Sequence, residues 1–238
     1  MKVLALDSSG LVASVAIMED SILKAEYTIH HKKTHSQTLL PMLDEICRMT
    51  ELDLKEIDGI AIAKGPGSFT GLRIGSATAK GLGLALAKPL VEVSTLEALA
   101  YNAYGVGGVV CPVMDARRSQ VYTGIYRFEQ NGNEYEIEEI LPPCAISVEE
   151  ICGKLNALGD SVLFLGDAVP VYTTDFKDKM NVPFTFMAAQ SAYQRAASVA
   201  ALGIKKLKEG KGIPAAGHSP EYLRLSQAER ERKEAGLL

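Results

Sequence analysis

Short apolar runs that end in polar turns open the chain. Val3 to Leu6 form an apolar run that stops at Asp7, and a second β-rich run extends from Val12 to Met18. This pattern predicts a strand, a turn and a returning strand. Ile22 to Ile29 predict a third strand, so the fold is expected to begin with three consecutive strands.

Helical spacing replaces the strand pattern after the third strand. Thr34 and Gln37 have the order of a capping box, and apolar residues follow at helical intervals as far as Ile46. Pro41 lies inside this helix and removes one backbone hydrogen bond, so we expect a bend or a later start. An amphipathic helix therefore leads to a fourth strand, predicted at Gly59 to Ala63.

A glycine-rich stretch, KGPGSFTGLRIG at Lys64 to Gly75, leads into a long helix predicted from about Thr70 to Ala87. The stretch lacks the G-x-x-x-x-G-K-[ST] order of a Walker A motif, so it predicts no phosphate-binding lysine. Small residues recur at every fourth position of the helix and leave one face without bulk. Another backbone can pack closely there, either from the protein's own sheet or from a partner helix.

The second half repeats the opening pattern. CPVMDARRSQVYTGIY at Cys111 to Tyr126 matches LALDSSGLVASVAI at Leu4 to Ile17 as a strand, an Asp, a polar turn and a returning strand. Asn131-Gly132 then predicts a hairpin turn. The other predicted elements are a strand around Val91 to Val93, a helix opened by a capping box at Ser94 and Glu97, a helix capped by Ser147 with Glu150, a strand at Val162 to Leu165, and a last long helix from Ser191 to Glu209.

Alternating strands and helices with an internal duplication predict an α/β fold of two lobes. The predicted parts are an N-terminal lobe at 1–105 that binds a partner, a C-terminal lobe at 106–212, and a tail at 213–238. The charged last segment of that tail, AERERKEAGLL, is expected to be a solvated end.

Composition narrows the class further. Of the 238 residues, 47% are hydrophobic and 23% are charged, with a net charge of −4, so we expect a globular chain without the basic surplus needed to bind nucleic acid alone. The four cysteines have no C-x-x-C pair, which indicates reduced thiols. The first apolar run is too short for a signal peptide, and no run is long enough to span a membrane. We therefore expect a cytoplasmic protein without a membrane partner.

Two turns could hold a nucleotide. An Asp between two strands lies beside backbone N–H groups, an arrangement that can bind phosphate oxygens and Mg²⁺. However, Asp also ends strands without any ligand, and Arg117 and Arg118 replace the small residues that would let amides approach a phosphate in the second copy. ATP or ADP with Mg²⁺ is therefore an optional ligand and not a required cofactor. The candidate nucleotide-binding residues are Asp7, Ser8, Ser9, Gly10 and Asp115.

Two helices offer a partner interface. The helix from Thr34 to Cys47 carries more apolar residues than one sheet contact needs, and the glycine-rich helix has its face of small residues. The candidate interface residues are Leu39, Leu40, Leu43 and Ile46 in the first helix, and Gly71, Gly75, Ala79 and Gly83 in the second.

Neither a metal site nor a nucleophile is predicted. His31 and His35 have i, i+4 spacing but lack the Glu of an H-E-x-x-H motif, and they straddle the start of a helix. No Ser-His-Asp or Cys-His catalytic set can be identified from the sequence.

Four motifs together resemble one family. The run from Ile60 to Ala100, DSSG at Asp7 to Gly10, HSQTLLPML at His35 to Leu43 and PEYLRLSQAE at Pro220 to Glu229 are similar to the bacterial TsaB (YeaZ) family over most of the chain. The resemblance implies an actin-like ATPase (ASKHA, ribonuclease H-like) fold and a role in threonylcarbamoyladenosine formation at position 37 of tRNA. It also implies a non-catalytic companion of the related subunit TsaD, with the ATPase TsaE as third partner and tRNA bound through the complex.

One departure favours the non-catalytic interpretation. TsaD carries a His-x-x-x-His metal pair where this sequence has Thr95 and Leu99, and neither side chain can replace imidazole on a transition metal. We therefore expect an accessory subunit instead of an enzyme, and a homodimer when the partner is absent. The alternative is an ATP-binding or ATP-hydrolysing actin-like enzyme that uses Asp7 and Asp115.

Overall fold

The first sheet contains the three opening strands and two later ones. The computed structural model describes residues 1–31 and 33–224. The sheet order is β3-β2-β1-β4-β5, with β1 antiparallel to β2 and parallel to β4. Its elements are β1 (Lys2–Asp7), β2 (Ala13–Glu19), β3 (Ile22–Ile29), α1 (His35–Met49), β4 (Gly59–Gly65), α2 (Phe69–Leu86), β5 (Leu90–Ser94) and α3 (Thr95–Tyr101).

The second sheet repeats the topology of the first. Its order, β8-β7-β6-β9-β10, has the same antiparallel pairs followed by the same parallel pairs. Its elements are β6 (Val109–Asp115), β7 (Gln120–Asn131), β8 (Glu134–Ser147), α4 (Val148–Leu158), β9 (Val162–Leu165), α5 (Val169–Lys179), β10 (Phe184–Phe186) and α6 (Ala196–Lys208). The duplication is confirmed, and two such sheets with their crossover helices form the actin-like fold.

Helices cover both faces of the first sheet. Side chains alternate between faces along a strand, so the cluster around Leu4 lies opposite the cluster around Ala5. α1 and α2 pack on the first of these clusters, and α6 packs on the second through Val199 and Ala200. The predicted lobe boundaries at residues 105 and 212 assign α6 to the C-terminal lobe, although α6 packs on the first sheet.

The predicted start of α1 needs correction. The helix begins at His35 and continues through Pro41, so the later start is wrong. The side-chain cap is also wrong, because the Gln37 N–H donates to the backbone carbonyl of Thr34 at 2.9 Å. The Thr34 hydroxyl instead lies 3.1 Å from the Ser36 hydroxyl.

The caps of α3 and α4 are confirmed, since the hydroxyls of Ser94 and Ser147 accept the N–H three residues later at 3.5 and 3.1 Å. The last helix is shorter than predicted, because residues 189–191 form only a 3₁₀ turn and α6 begins at Ala196. α5 and β10 were not predicted. A non-helical residue, Tyr172, interrupts α5, and β10 has only three residues, so neither has a clear period.

The described part of the tail, residues 213–224, packs against the rest of the chain. Leu90 and Ile213 exchange two backbone hydrogen bonds of 2.9 and 2.8 Å, which attaches the tail to the edge of the first sheet. Further along, His218 is 2% exposed and Tyr222 stacks on Phe69. The segment AERERKEAGLL lies outside the described residues.

Within residues 1–31 and 33–224, no helix combines the length and the hydropathy needed to cross a membrane. The four cysteines have free thiols, and Cys111 and Cys152 are buried. Burial raises the pKa of Cys111 to about 12, so this thiol stays protonated at neutral pH.

Candidate functional site

The Asp7 carboxyl lies at the end of β1, beneath the turn that follows. It has no exposed surface, and its Oδ1 accepts hydrogen bonds from the backbone N–H of Ser9 at 2.8 Å and from Ser9 Oγ at 2.6 Å. Its Oδ2 has no hydrogen-bond partner among residues 1–31 and 33–224. Burial raises the pKa of Asp7 to about 6, and the Ser9 hydrogen bonds oppose that rise. The carboxyl is thus held by its own turn.

The glycine-rich stretch packs directly on this turn. The Ser68 N–H donates to the Ser9 carbonyl at 2.6 Å, and a Cβ on Gly67 would lie 2.2 Å from that oxygen. Ser8 Oγ donates to the Gly71 carbonyl at 2.9 Å, and a Cβ on Gly71 would lie 2.0 Å from the Ser8 carbonyl oxygen. Such close approach requires glycine at both positions. The small face of α2 therefore contacts the protein's own chain.

Gln194 and His35 enclose the turn from other sides, which the sequence did not predict. Gln194 is 1% exposed, and neither of its amide atoms has a hydrogen-bond partner in the part of the chain that the structure describes. A Cβ on Gly10 would lie 2.6 Å from Gln194 Nε2. His35 Nε2 lies 2.9 Å from the Gly10 carbonyl oxygen, so this histidine serves the turn. Gln194 is separated from the turn by most of the chain, and no local pattern indicates the contact.

Asp115, the counterpart of Asp7, is also bonded within its own loop. Its Oδ1 accepts the Arg117 N–H at 2.8 Å, and its Oδ2 lies 3.0 Å from Arg117 Nη1. Its backbone N–H donates to Asp167 Oδ1 at 3.0 Å, and burial raises the pKa of Asp167. Arg117, Arg118 and Ser119 have φ angles of 66°, 57° and 57°, a left-handed conformation that side chains make costly. The Asp115 carboxylate therefore already has a cationic partner.

A cavity of about 440 Å³ lies between the two lobes. Ser9, Gly10 and Asp115 line it, so three of the five candidate nucleotide-binding residues meet there. Asp7 and Ser8 do not line this cavity, because the turn above them forms its floor. A Mg²⁺ ion shared by Asp7 and Asp115 does not fit this arrangement, since one carboxylate is covered and the other faces Arg117.

Most of the predicted interface residues are covered within the chain. Leu39, Leu43 and Ile46 are 1%, 5% and 0% exposed in the core against the first sheet. Gly83 packs on the tail, where its Cβ would lie 2.8 Å from the Ala215 Cβ. The structure therefore corrects the interface prediction for the buried members of the set, which are Leu39, Leu43, Ile46, Gly71, Gly75, Ala79 and Gly83.

The same two helices keep another face exposed. Leu40 is 53% exposed on α1, and Leu84 is 64% exposed on α2. Ala77 and Gly81 are exposed on the same helix as Leu84. Because α1 and α2 pack side by side on one side of the sheet, we call Leu40, Ala77, Gly81 and Leu84 the outer helix face.

The two positions where the resemblance implied a missing histidine pair are buried. Thr95 and Leu99 are 0% and 1% exposed, and Leu99 packs in an apolar cluster between α3 and the second sheet. Among the residues that the structure describes, no group of three or more His, Cys, Asp or Glu side chains could hold a metal ion.

The sequence is similar to one family model and to several named proteins. Residues 24–232 match a family model described as "TsaD: tRNA N6-adenosine threonylcarbamoyltransferase". The chain is 33% identical over 229 residues to the tRNA threonylcarbamoyladenosine biosynthesis protein TsaB of Bacillus subtilis. This alignment covers 96% of both chains. It is also 36% identical over 165 residues to TsaB of Escherichia coli. That alignment covers 67% of this chain and 71% of the other protein.

Solved structures agree with these relatives. A Pseudomonas aeruginosa structure, described as an uncharacterized protein with similarity to peptidase YEAZ, has a TM-score of 0.78 at 28% identity, over 94% of this chain and 99% of that chain. YeaZ from Pseudomonas aeruginosa has a TM-score of 0.75 at 27% identity, over 93% of this chain and 99% of that chain. With a sequence match along nearly its whole length and the same fold, the chain belongs to the TsaB (YeaZ) family of tRNA threonylcarbamoyladenosine biosynthesis proteins.

Proposed function

We propose that this chain is a non-catalytic scaffold subunit required for threonylcarbamoyladenosine formation at position 37 of tRNA. It pairs with the catalytic homologue TsaD, works with the ATPase TsaE, and meets tRNA only through that complex. The names of its relatives support the pathway. The observation that carries the scaffold role is the outer helix face, with two leucines more than half exposed on neighbouring helices.

The outer helix face suits a second helix pair. Full burial of a fully exposed leucine stabilises a contact by about 1.5–3 kcal/mol, so Leu40 and Leu84, at 53% and 64% exposure, would each contribute roughly half of that. Ala77 and Gly81 have no bulk to keep a facing helix away, so two helix pairs could approach closely. A related subunit with the same helices would present a similar face, and a second copy of this chain could do so in a symmetric homodimer.

The contacts of the two carboxylates support the proposal of a non-catalytic role. Asp7 is covered by its own turn, and Asp115 is paired with Arg117, so neither is available to hold a metal or activate water. In this proposal no nucleotide is required. The cavity lined by Asp115 still favours nucleotide binding as the alternative function. ATP turnover by the isolated chain with Mg²⁺, lost in an Asp7→Asn variant, would establish that alternative and overturn the scaffold proposal.

The test is tRNA modification reconstituted from TsaD, TsaE and this chain. A variant with Leu40→Asp and Leu84→Asp should fail to co-elute with TsaD and should lose modification, while its unfolding midpoint stays near that of the wild type. Leu43 and Ile46 are unsuitable targets because a charge at a buried position would unfold the chain.

The matched control is Leu158→Asp, which places the same charge on α4 of the second lobe at a site 38% exposed. This variant should co-elute with TsaD and support modification normally. Normal co-elution of the double variant, or equal loss in the control, would contradict the proposed interface.

A further inference from the structure

The described part of the tail runs from the first lobe to the second. After its bridge to Leu90, it passes His218, whose Nδ1 lies 2.7 Å from Glu92 Oε1. Lys80 Nζ donates to the His218 carbonyl at 3.0 Å, which holds the tail against α2. These contacts attach residues 213–218 firmly to the first lobe.

The next residues pass over the glycine-rich stretch. The Glu221 N–H donates to the Lys64 carbonyl at 2.7 Å, and the two side chains form an ion pair of 2.8 Å. A Cβ on Gly65 would lie 2.3 Å from the Glu221 carbonyl oxygen. The tail backbone therefore packs about as closely on the glycine-rich stretch as the Asp7 turn does.

Tyr222 contacts two side chains of α2. Its ring stacks on Phe69 with a centroid distance of 4.1 Å and an interplanar angle of 21°. The Arg73 guanidinium lies 4.3 Å from the Phe69 centroid, and Arg73 Nε donates to the Tyr222 hydroxyl at 3.3 Å. Stacking on Phe69 and the hydrogen bond from Arg73 therefore hold the Tyr222 side chain against the start of α2.

Arg224 then reaches the opposite lobe. Its Nη1 donates to the backbone carbonyl of Ala116, in the loop between β6 and β7. Phe69 and Arg224 line the interlobe cavity beside Asp115, while Lys64 and Glu221 line a second cavity of about 420 Å³. Residues 221–224 thus lie between two cavities of the cleft and contact both of its walls.

We propose that residues 218–224, here named the strap, tie the two lobes together and limit the opening of the cleft between them. Tyr222 is the anchor on the first lobe, and Arg224 is the contact on the second. This inference concerns motion within one chain and does not depend on the proposed scaffold function.

Hydrogen exchange of the full chain tests the strap. In Tyr222→Ala, amides of residues 69–73 and of the 116–120 loop should exchange about tenfold faster, because the anchor on α2 is lost and Arg224 is held less closely to Ala116. In Arg224→Ala, faster exchange should be confined to the 116–120 loop. Gly217→Ala is the matched control, since a Cβ there meets no described residue within 4 Å and should leave exchange unchanged.

Three results would overturn the strap. Unchanged exchange in the 116–120 loop of both variants would mean that the strap does not hold the second lobe. Faster exchange only in residues 69–73 would mean that the tail merely covers α2. A uniform increase through both sheets would mean that the tail supports global stability instead of the cleft.

Discussion

Replacing Gly71 by alanine isolates the contact that joins the glycine-rich helix to the Asp7 turn. The added Cβ would lie 2.0 Å from the Ser8 carbonyl oxygen, 3.3 Å from the His35 ring and 3.3 Å from the Ser68 Cβ. The nearest atom belongs to the backbone of a buried turn, so it cannot move aside without shifting β1 or α2.

The magnitude follows from two opposing effects. Overpacking a core site destabilises a protein by about 1–3 kcal/mol, and a backbone clash this short favours the upper end. Alanine in place of glycine inside a helix returns about 1 kcal/mol. We therefore expect Gly71→Ala to lower the free energy of unfolding by about 2 kcal/mol.

Gly81→Ala is the control, because Gly81 lies in the same helix and a Cβ there meets no atom of the described residues within 4 Å. This variant should raise the free energy of unfolding by about 1 kcal/mol. Urea unfolding followed by circular dichroism measures both changes. Equal stability of the two variants would refute the conclusion that the small face packs within the chain.

Two further predictions concern Asp7 and the helix caps. Burial raises the pKa of Asp7 from 3.8 to about 6. Between these two pH values the folded chain therefore holds a proton that the unfolded chain releases. The free energy of unfolding should fall by about 3 kcal/mol as the pH rises from 3.8 to about 6. Asp7→Asn should flatten this fall in urea unfolding across the same pH range, and an unchanged slope would contradict the assignment. Ser147→Ala should cost about 1 kcal/mol because it removes the bond to the Glu150 N–H, whereas Thr34→Ala should cost almost nothing because Thr34 makes no side-chain cap. Thermal unfolding compares the two variants, and a larger loss in Thr34→Ala would refute the geometry at α1.

Local periodicity was sufficient to predict most of the elements. Strand runs, the Asn131-Gly132 hairpin, the caps of α3 and α4 and the repeated strand-Asp-turn-strand unit all depend on residues close together in the chain. The same information failed where propensity was weak or interrupted, as at α5 and β10.

The sequence by itself determined the α/β class, the duplication and the family, because each rests on patterns within short segments. Only the tertiary structure decided which neighbour the small face of α2 meets, where Asp7 lies and how the tail crosses the cleft. Gly71 and Ser8 are joined by a hydrogen bond, Gln194 packs closely on Gly10, and Arg224 donates a hydrogen bond to Ala116. These partners lie far apart in the chain, so a local pattern can predict that a face is free of bulk but cannot determine which atoms will pack against it.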